Sequence, residues 1–399
     1  MRILKDSFIY LAGELFAKSL PFLMLPYLTR KLGPEGFGEL SYYLTWLALF
    51  GIFIGLSQEG AVTRYFYFYG EKALNTVVTA GYLYNVVISA ILLLGCWFFQ
   101  AEIMAYIVLA TMFQSFVNVQ LALRQCQKQP FKYITIQIIL SLTNVVFTVA
   151  ALELFSEDLV AYRILAIVVA NALTFFIASV VLGNLFSTEN KLTVNRLKLS
   201  VLYLFSFGVP LILHQSSFFI KGQLDRLFIY EHYSKAELGI FSAGVQVAAV
   251  LPIVLMALNK AIVPYYYQNL KEKKLSIQTI KKYTLLCMPL CIIPALIGFV
   301  LPESFYVWFL GEKYVESKYY VVMYLLGYGA NLPYLMLVNY LFFHAKNKLI
   351  ASVTFISSIF YVVLMIVLGQ YSIEYIPYAL ILSNLLMVVM LWKYVIKKK

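Results

Sequence analysis

Charge is scarce in this chain: Asp, Glu, Lys and Arg make up 13% of its 399 residues, about half the share of an ordinary soluble domain. There is no P-loop, no glycine-rich nucleotide fingerprint and no His-Glu metal motif, so nothing here suits ATP hydrolysis or zinc chemistry on this chain. Four cysteines, Cys96, Cys126, Cys287 and Cys291, fall in or at the ends of apolar runs, with neither a disulfide framework nor metal-ligand spacing. Long polar stretches are missing too. The longest loops expected outside the membrane, about 302 to 318 and 225 to 237, are too short for a catalytic domain.

What fills the chain is apolar. Hydrophobic residues reach 62% and the mean hydropathy is +0.81, which excludes a water-soluble globule. A helix needs roughly 20 largely apolar residues to cross a bilayer. Such runs recur at 7 to 29, 38 to 60, 77 to 99, 103 to 123, 132 to 152, 161 to 186, 200 to 224, 238 to 262, 283 to 301, 319 to 342, 349 to 369 and 373 to 395. The fold class expected is therefore an all-α polytopic membrane protein with about twelve transmembrane helices. The first run carries Glu14 and Lys18 and no small-residue cleavage site follows it, which reads as a retained helix rather than a signal peptide.

Loop charge tests this count. With the N-terminus inside, 21 of the 31 basic residues fall on inside segments and 7 outside, the bias expected when both ends lie in the cytoplasm. The net charge of +12 is thus a topology signal, and no nucleic-acid partner is expected. Tyr65, Phe66 and Tyr67, like Tyr265, Tyr266 and Tyr267, read as interfacial belts rather than a stacking platform.

Sliding the chain against itself reveals one offset, 201. It takes Gly38, Leu40 and Ser41 to Gly239, Phe241 and Ser242, takes Leu28 to Ile229, and takes Val62, Tyr65 and Phe66 to Val263, Tyr266 and Tyr267. Six helices separate the copies, so both enter the membrane in the same direction: a parallel repeat, with two pseudo-symmetric six-helix bundles around a central cavity. The boundaries expected are 1–186 for the first bundle, 187–199 for a cytoplasmic linker and 200–399 for the second.

Ionisable side chains inside spans are costly and mark cavities, partners or ion paths. Glu14 and Lys18 lie four apart on one helix face, as do Lys221 and Asp225, with His214 seven before Lys221. Two readings stay open: local neutralising pairs that let a helix insert, or Lys18 and Lys221 as anion-binding groups. The offset pairs Glu59 with Lys260, opposite charges at equivalent positions that could meet around a pseudo-two-fold axis. Asp225 and Arg226 sit near a helix end, where solvent is a sufficient partner, and His214 alone reads more readily as a packed polar residue than as a proton relay. Pro21, Pro26, Pro210 and Pro252 are candidate kinks.

The stretch Leu25-Pro26-Tyr27-Leu28-Thr29-Arg30-Lys31-Leu32-Gly33-Pro34-Glu35-Gly36-Phe37-Gly38 resembles the polysaccharide repeat-unit flippases (Wzx type) of the multidrug/oligosaccharidyl-lipid/polysaccharide exporter superfamily. Phe207-Gly208-Val209-Pro210 through Asp225-Arg226 to Leu238-Gly239-Ile240-Phe241-Ser242 is similar to that family's seventh and eighth helices, and Glu59-Gly60-Ala61 to a cavity segment of lipid II flippases. The resemblance implies a transporter, not an enzyme, that flips oligosaccharide repeat units on undecaprenyl pyrophosphate across the inner membrane for O-antigen or other surface polysaccharides. Lys18, Lys221 and Lys260 would then attract the head group, and Glu14, Glu59, Asp225 and His214 would serve as counter-ions or couple to a proton or sodium gradient. No cofactor is expected. The partners expected are membrane lipids and a polysaccharide polymerase, with the chain itself a monomer. The rival readings are a cation-coupled multidrug or metabolite exporter of the same superfamily and a polyprenyl-linked sugar polymerase or ligase.

Overall fold

The structure, a computed structural model, describes residues 19–180 and 193–396. Every regular element among them is helical: α1 (Leu25–Gly55), α2 (Gln58–Tyr69), α3 (Leu74–Phe98), α4 (Glu102–Cys126), α5 (Pro130–Leu154), α6 (Leu159–Val180), α7 (Val194–His232), α8 (Lys235–Ala248), α9 (Val250–Lys271), α10 (Ile277–Leu290), α11 (Ile293–Val300), α12 (Glu303–Leu310), α13 (Ser317–Gly329), α14 (Asn331–Phe343), α15 (Asn347–Gly369) and α16 (Ile376–Ile396), with short 3-10 turns at Glu312–Tyr314 and Ile373–Tyr375. Eleven helical stretches among the described residues are long and apolar enough to cross a membrane. They correspond to the second through twelfth expected spans; the first span lies mostly outside the described residues, as do Glu14 and Lys18. The chain is an all-helical, multi-pass membrane protein. Its large apolar side chains are turned outward accordingly, as at Trp97 (80% exposed) and Phe99 (77%), where lipid rather than water is their solvent.

Packing divides the chain into two compact units, Met1–Met24 with Leu40–Phe219, and Leu25–Glu39 with Ile220–Lys399. The expected boundaries at 186 and 200 differ from this division in two ways. α7 is one continuous helix, so the second boundary falls inside it, and residues 25–39 pack with the second unit. In the first unit α4 packs against α2, α3 and α6, and α5 against α6; Ala61, Val62, Val77, Val119 and Leu204 close its core. In the second, α16 packs against α13, α14 and α15, and α13 also against α8 and α11.

Residues 25–39 belong to the second unit for identifiable reasons. Thr29 accepts a hydrogen bond at its carbonyl from the Tyr314 hydroxyl (3.2 Å), Arg30 donates to the Trp308 carbonyl, Phe37 meets Tyr314 edge to face, and Glu39 bridges to Lys235 at 3.0 Å. α1 itself is interrupted at Gly33 (φ 65°, ψ 177°), a conformation that glycine adopts without a Cβ penalty. The break expected from Pro26 is a separate one: residues 19–23 are helical and Met24 interrupts the helix two residues before Pro26, which offers no N–H to the Phe22 carbonyl.

Offset 201 takes Gly33 to Ser234, the extended residue that separates α7 from α8, so the two copies turn at equivalent positions. It also takes Pro34 to Lys235 and Gly38 to Gly239, and these four residues pack reciprocally. A Cβ on Gly38 would fall 2.8 Å from the Gly239 nitrogen and nearer still to the Lys235 carbonyl oxygen. One on Gly239 would fall 2.8 Å from the Pro34 carbonyl carbon, nearer still to its oxygen, and 3.1 Å from the Gly38 nitrogen. Equivalent residues in mutual contact require a local two-fold axis running between them.

Two further interruptions follow from proline. Ala249 parts α8 from α9 three residues before Pro252, which offers no N–H to the Ala248 carbonyl, and Ala330 parts α13 from α14 three residues before Pro333. Pro210, by contrast, sits within the uninterrupted α7.

Candidate functional site

Lys221 and Asp225 occupy adjacent turns of α7 in the second unit but do not pair with one another. The Lys221 ammonium donates to Ser357 Oγ on α15 (2.6 Å) and to Asn384 Oδ1 on α16 (3.1 Å). Both acceptors are oriented from behind. Ser357 Oγ gives its own proton to the Ser383 carbonyl (2.6 Å), and Asn384 Nδ2 donates to the Gly327 carbonyl (3.1 Å), so their lone pairs face Lys221. The ammonium therefore rests in a cradle of neutral oxygens. No carboxylate lies within 4 Å of it among the described residues.

Asp225 has other partners. It is 1% exposed, which corrects the expectation that solvent satisfies it. Its Oδ2 accepts from the Tyr324 hydroxyl on α13 (2.6 Å) and the Tyr361 hydroxyl on α15 (3.3 Å). Its Oδ1 accepts from the Arg226 backbone N–H (2.9 Å) and from Arg226 Nη1 (3.4 Å). Arg226 Nη1 also donates to the Gly222 carbonyl (2.7 Å). With one carboxylate matched by one guanidinium, the ensemble of Lys221, Asp225 and Arg226 keeps one net positive charge inside the second unit.

The first unit carries an uncharged polar chain at a helix break. α1 ends and α2 begins across Leu56 (φ 44°) and Ser57 (φ 51°), both left-handed, a conformation that costs about 1–2 kcal/mol per non-glycine residue. Ser57 Oγ accepts from Gln215 Nε2 of α7 (2.9 Å). Gln58 Nε2 reaches the Gly81 carbonyl (3.1 Å) and Asn85 Oδ1, and Asn85 Nδ2 reaches Ser115 Oγ (2.9 Å). Glu59 follows in the first turn of α2, where the exposed N–H groups of a helix start favour a carboxylate. Gly208 lets α7 come close to this break, since a Cβ there would meet the Leu56 side chain at 2.5 Å.

The remaining expected residues are dispersed. His214, exposed, lies on the part of α7 in the first unit with its ring edge against Phe218. Lys260 is exposed on α9 in the second unit, and Glu59 belongs to the first. Sequence reasoning missed the neutral partners Ser357, Asn384, Tyr324 and Tyr361; of these, the lone amide in the apolar run around Asn384 was the one available signal. It also passed over Arg163. In the structure Arg163 stands in the second turn of α6, its Nη2 on Asn144 Oδ1 (3.2 Å) while its Nε and Nη1 are buried without partners.

The four cysteines are free, and no group of three or more metal-ligating side chains occurs among the described residues. A multi-pass helical protein with broken spans, a parallel repeat and ionisable groups within its helices has the makings of a transporter. Comparison with known proteins narrows this. Residues 3–270 match the polysaccharide biosynthesis protein family, and the chain belongs to that family. It is 49% identical over 392 residues, 98% of each chain, to Lsg locus putative protein 1 of Haemophilus influenzae (strain ATCC 51907 / DSM 11121 / KW20 / Rd). Among solved structures it is similar to the lipid II flippase MurJ in an inward closed conformation, with a TM-score of 0.73 at 13% identity over 98% of this chain and 88% of that one. An inward-facing multidrug resistance MATE family transporter of the MOP superfamily superposes with a TM-score of 0.68 at 12% identity, over 94% of this chain and 93% of the other. The fold is that of flippases and transporters, and the resemblance to Wzx-type flippases stands.

Proposed function

We propose that the protein flips undecaprenyl-pyrophosphate-linked oligosaccharide repeat units from the cytoplasmic to the outer leaflet of the inner membrane by alternating access. Its family places it in polysaccharide biosynthesis, and its fold is shared with a lipid II flippase. The observation that carries the choice of substrate is the Lys221 ammonium, held inside the second unit by neutral oxygens. A half-buried cation held without a counter-ion favours an anionic head group, which can supply the missing charge, and disfavours the cationic cargo of a drug exporter. Lys260 and, in the span outside the described residues, Lys18 would add to the attraction. Glu59, Glu14, Asp225 and His214 are the groups that would respond to a proton or sodium gradient, with Glu59 and Lys260 meeting in one state of the cycle. Both chain ends would lie in the cytoplasm, and the protein would act as a monomer that hands its product to a polysaccharide polymerase.

In cells, removal of the protein would leave lipid-linked repeat units on the inner leaflet, reachable by a sugar-oxidising probe only after the membrane is opened. Repeat units equally reachable in intact spheroplasts with and without the protein would exclude the proposal. Extrusion of a cationic dye in their place would pass the function to the exporter reading.

A further inference from the structure

At one end of the first unit, α2 and the start of α7 bring together Arg64, Tyr65, Phe68, Tyr69 and Tyr203. The Arg64 guanidinium carbon lies 5.3 Å from the Phe68 ring centroid and 5.9 Å from that of Tyr203. Tyr203 in turn meets Tyr65 at 5.4 Å and Tyr69 at 6.0 Å, both edge to face. The Tyr203 hydroxyl donates to the Ala61 carbonyl (3.0 Å), which fixes its ring between the helices. The guanidinium is thus placed by aromatic rings rather than by an acid: no carboxylate lies within 4 Å of it among the described residues. Arg64, Phe68 and Tyr69 are exposed. Arg196, also exposed, stands seven residues before Tyr203, on the same side of α7.

An interfacial belt would account for the rings but not for the arginine. At the equivalent place in the second half, offset 201 replaces Arg64 by Tyr265 and Phe68 by Asn269, and Tyr266, the counterpart of Tyr65, is buried with its hydroxyl on the Met336 carbonyl. Only the first copy combines a guanidinium held by aromatic rings and the Tyr203 hydroxyl with an exposed fork of N–H donors. Such a fork matches the oxygens of a phosphate, and neighbouring ring faces suit the apolar face of a sugar or the first units of a prenyl chain.

We infer that Arg64, with Tyr69, Tyr203 and Arg196 around it, forms a loading site that captures the phosphate groups of the lipid-linked substrate at this end of the first unit, before the head group reaches Lys221. By the loop charges this end faces the cytoplasm, the side on which the substrate is made if the function proposed above is correct. The inference rests on that function and names the first residues to touch its substrate. Glycerophospholipids carry the same phosphate chemistry, so the test separates the two sources.

The full-length protein in detergent micelles is titrated with undecaprenyl pyrophosphate and, separately, with phosphatidylglycerol, and bound lipid is read by native mass spectrometry. Arg64→Ala, Arg64→Lys and wild type are compared after a melting curve confirms that each is folded. The expected result is binding of undecaprenyl pyrophosphate to wild type, weakened about tenfold by Arg64→Ala and by a smaller factor in Arg64→Lys, which keeps the charge but not the fork. Phosphatidylglycerol binding stays unchanged. Equal losses for both lipids would make the cluster a general lipid anchor and overturn the inference. Equal affinity of wild type and Arg64→Ala for undecaprenyl pyrophosphate would overturn it while leaving the flippase function intact. Wild type that binds no undecaprenyl pyrophosphate would remove both.

Discussion

Gly38→Ala is the most demanding test of the structure, because the added methyl group has nowhere to go. Its Cβ would lie 2.8 Å from the Gly239 nitrogen and 3.0 Å from the Lys235 carbonyl carbon, with the Lys235 oxygen closer than either. All three are backbone atoms, which cannot rotate away as a side chain would, so α1 and α8 must separate by about an ångström to restore ordinary contact. Overpacking in a well-filled interior costs typically about 1–3 kcal/mol, and a clash with helix backbone on both sides belongs at the top of that range or above it. The separation would also pull at the Glu39–Lys235 bridge and at the Tyr314 hydroxyl on Thr29. Because the contact is reciprocal, Gly239→Ala should cost a similar amount. The double variant should cost clearly less than the two together, since the first methyl has already parted the helices. Gly51→Ala is the control: it lies in the same helix with nothing within 4 Å of its added Cβ, and should be neutral or stabilising by up to about 1 kcal/mol. Thermal unfolding of the purified protein in one detergent, followed by size-exclusion fluorescence, measures all four. A Gly38→Ala variant as stable as Gly51→Ala would refute the close approach and the two-fold axis drawn through it.

Other substitutions separate the remaining contacts. Tyr324→Phe removes the 2.6 Å bond to Asp225 and should cost about 1.5–3 kcal/mol, whereas Tyr361→Phe, at 3.3 Å, should cost under about 1 kcal/mol in the same unfolding assay; a reversed order would contradict the geometry. Lys221→Met leaves Ser357 Oγ and Asn384 Oδ1 without their donor, so adding Ser357→Ala to it should cost less than Ser357→Ala does in the wild type; strict additivity would mean the cradle is not formed. Arg163→Met removes a guanidinium with two buried, unpartnered nitrogens and should melt at or above the wild-type temperature; a marked fall in melting temperature would show that the charge has a stabilising partner. Glu39→Gln breaks a bridge that is partly solvent-exposed on both sides and should cost no more than about 1 kcal/mol, an effect that fades as salt is raised; a larger, salt-independent loss would make the bridge a buried one in function.

The helices were legible in the sequence because crossing a bilayer demands runs of apolar residues and leaves no other regular structure available. The repeat was legible too: offset 201, found from a handful of weak matches around Gly38 and Gly239, joins positions that touch in space. The allocation of residues 25–39 to the second unit could not be read, since it depends on Tyr314, Trp308 and Lys235 reaching them from far along the chain. The partners of Lys221 and Asp225 were hidden for a different reason. Helical spacing of four suggested that they pair, but the spacing allows a contact without requiring one. Ser357, Asn384, Tyr324 and Tyr361 are neutral side chains of kinds that also serve plain helix packing. Glu14 and Lys18 lie outside the described residues. By sequence alone Tyr65 and its neighbours fit an interfacial belt, and only the placement of Tyr203 against Arg64 distinguishes the first copy from the second.

The central claim, that the chain moves a pyrophosphate-linked oligosaccharide from one leaflet to the other, is tested most directly in proteoliposomes. Purified protein is reconstituted with an undecaprenyl-pyrophosphate oligosaccharide, and a membrane-impermeant sugar-modifying probe reports how much head group reaches the outer face, with Lys221→Ala beside the wild type. The account predicts that wild type renders nearly all of the lipid reachable while protein-free vesicles expose only their outer half, and that Lys221→Ala, still folded, is much slower. Wild type that leaves the inner half protected across several oligosaccharides, while carrying a soluble cation against a proton or sodium gradient, would contradict it.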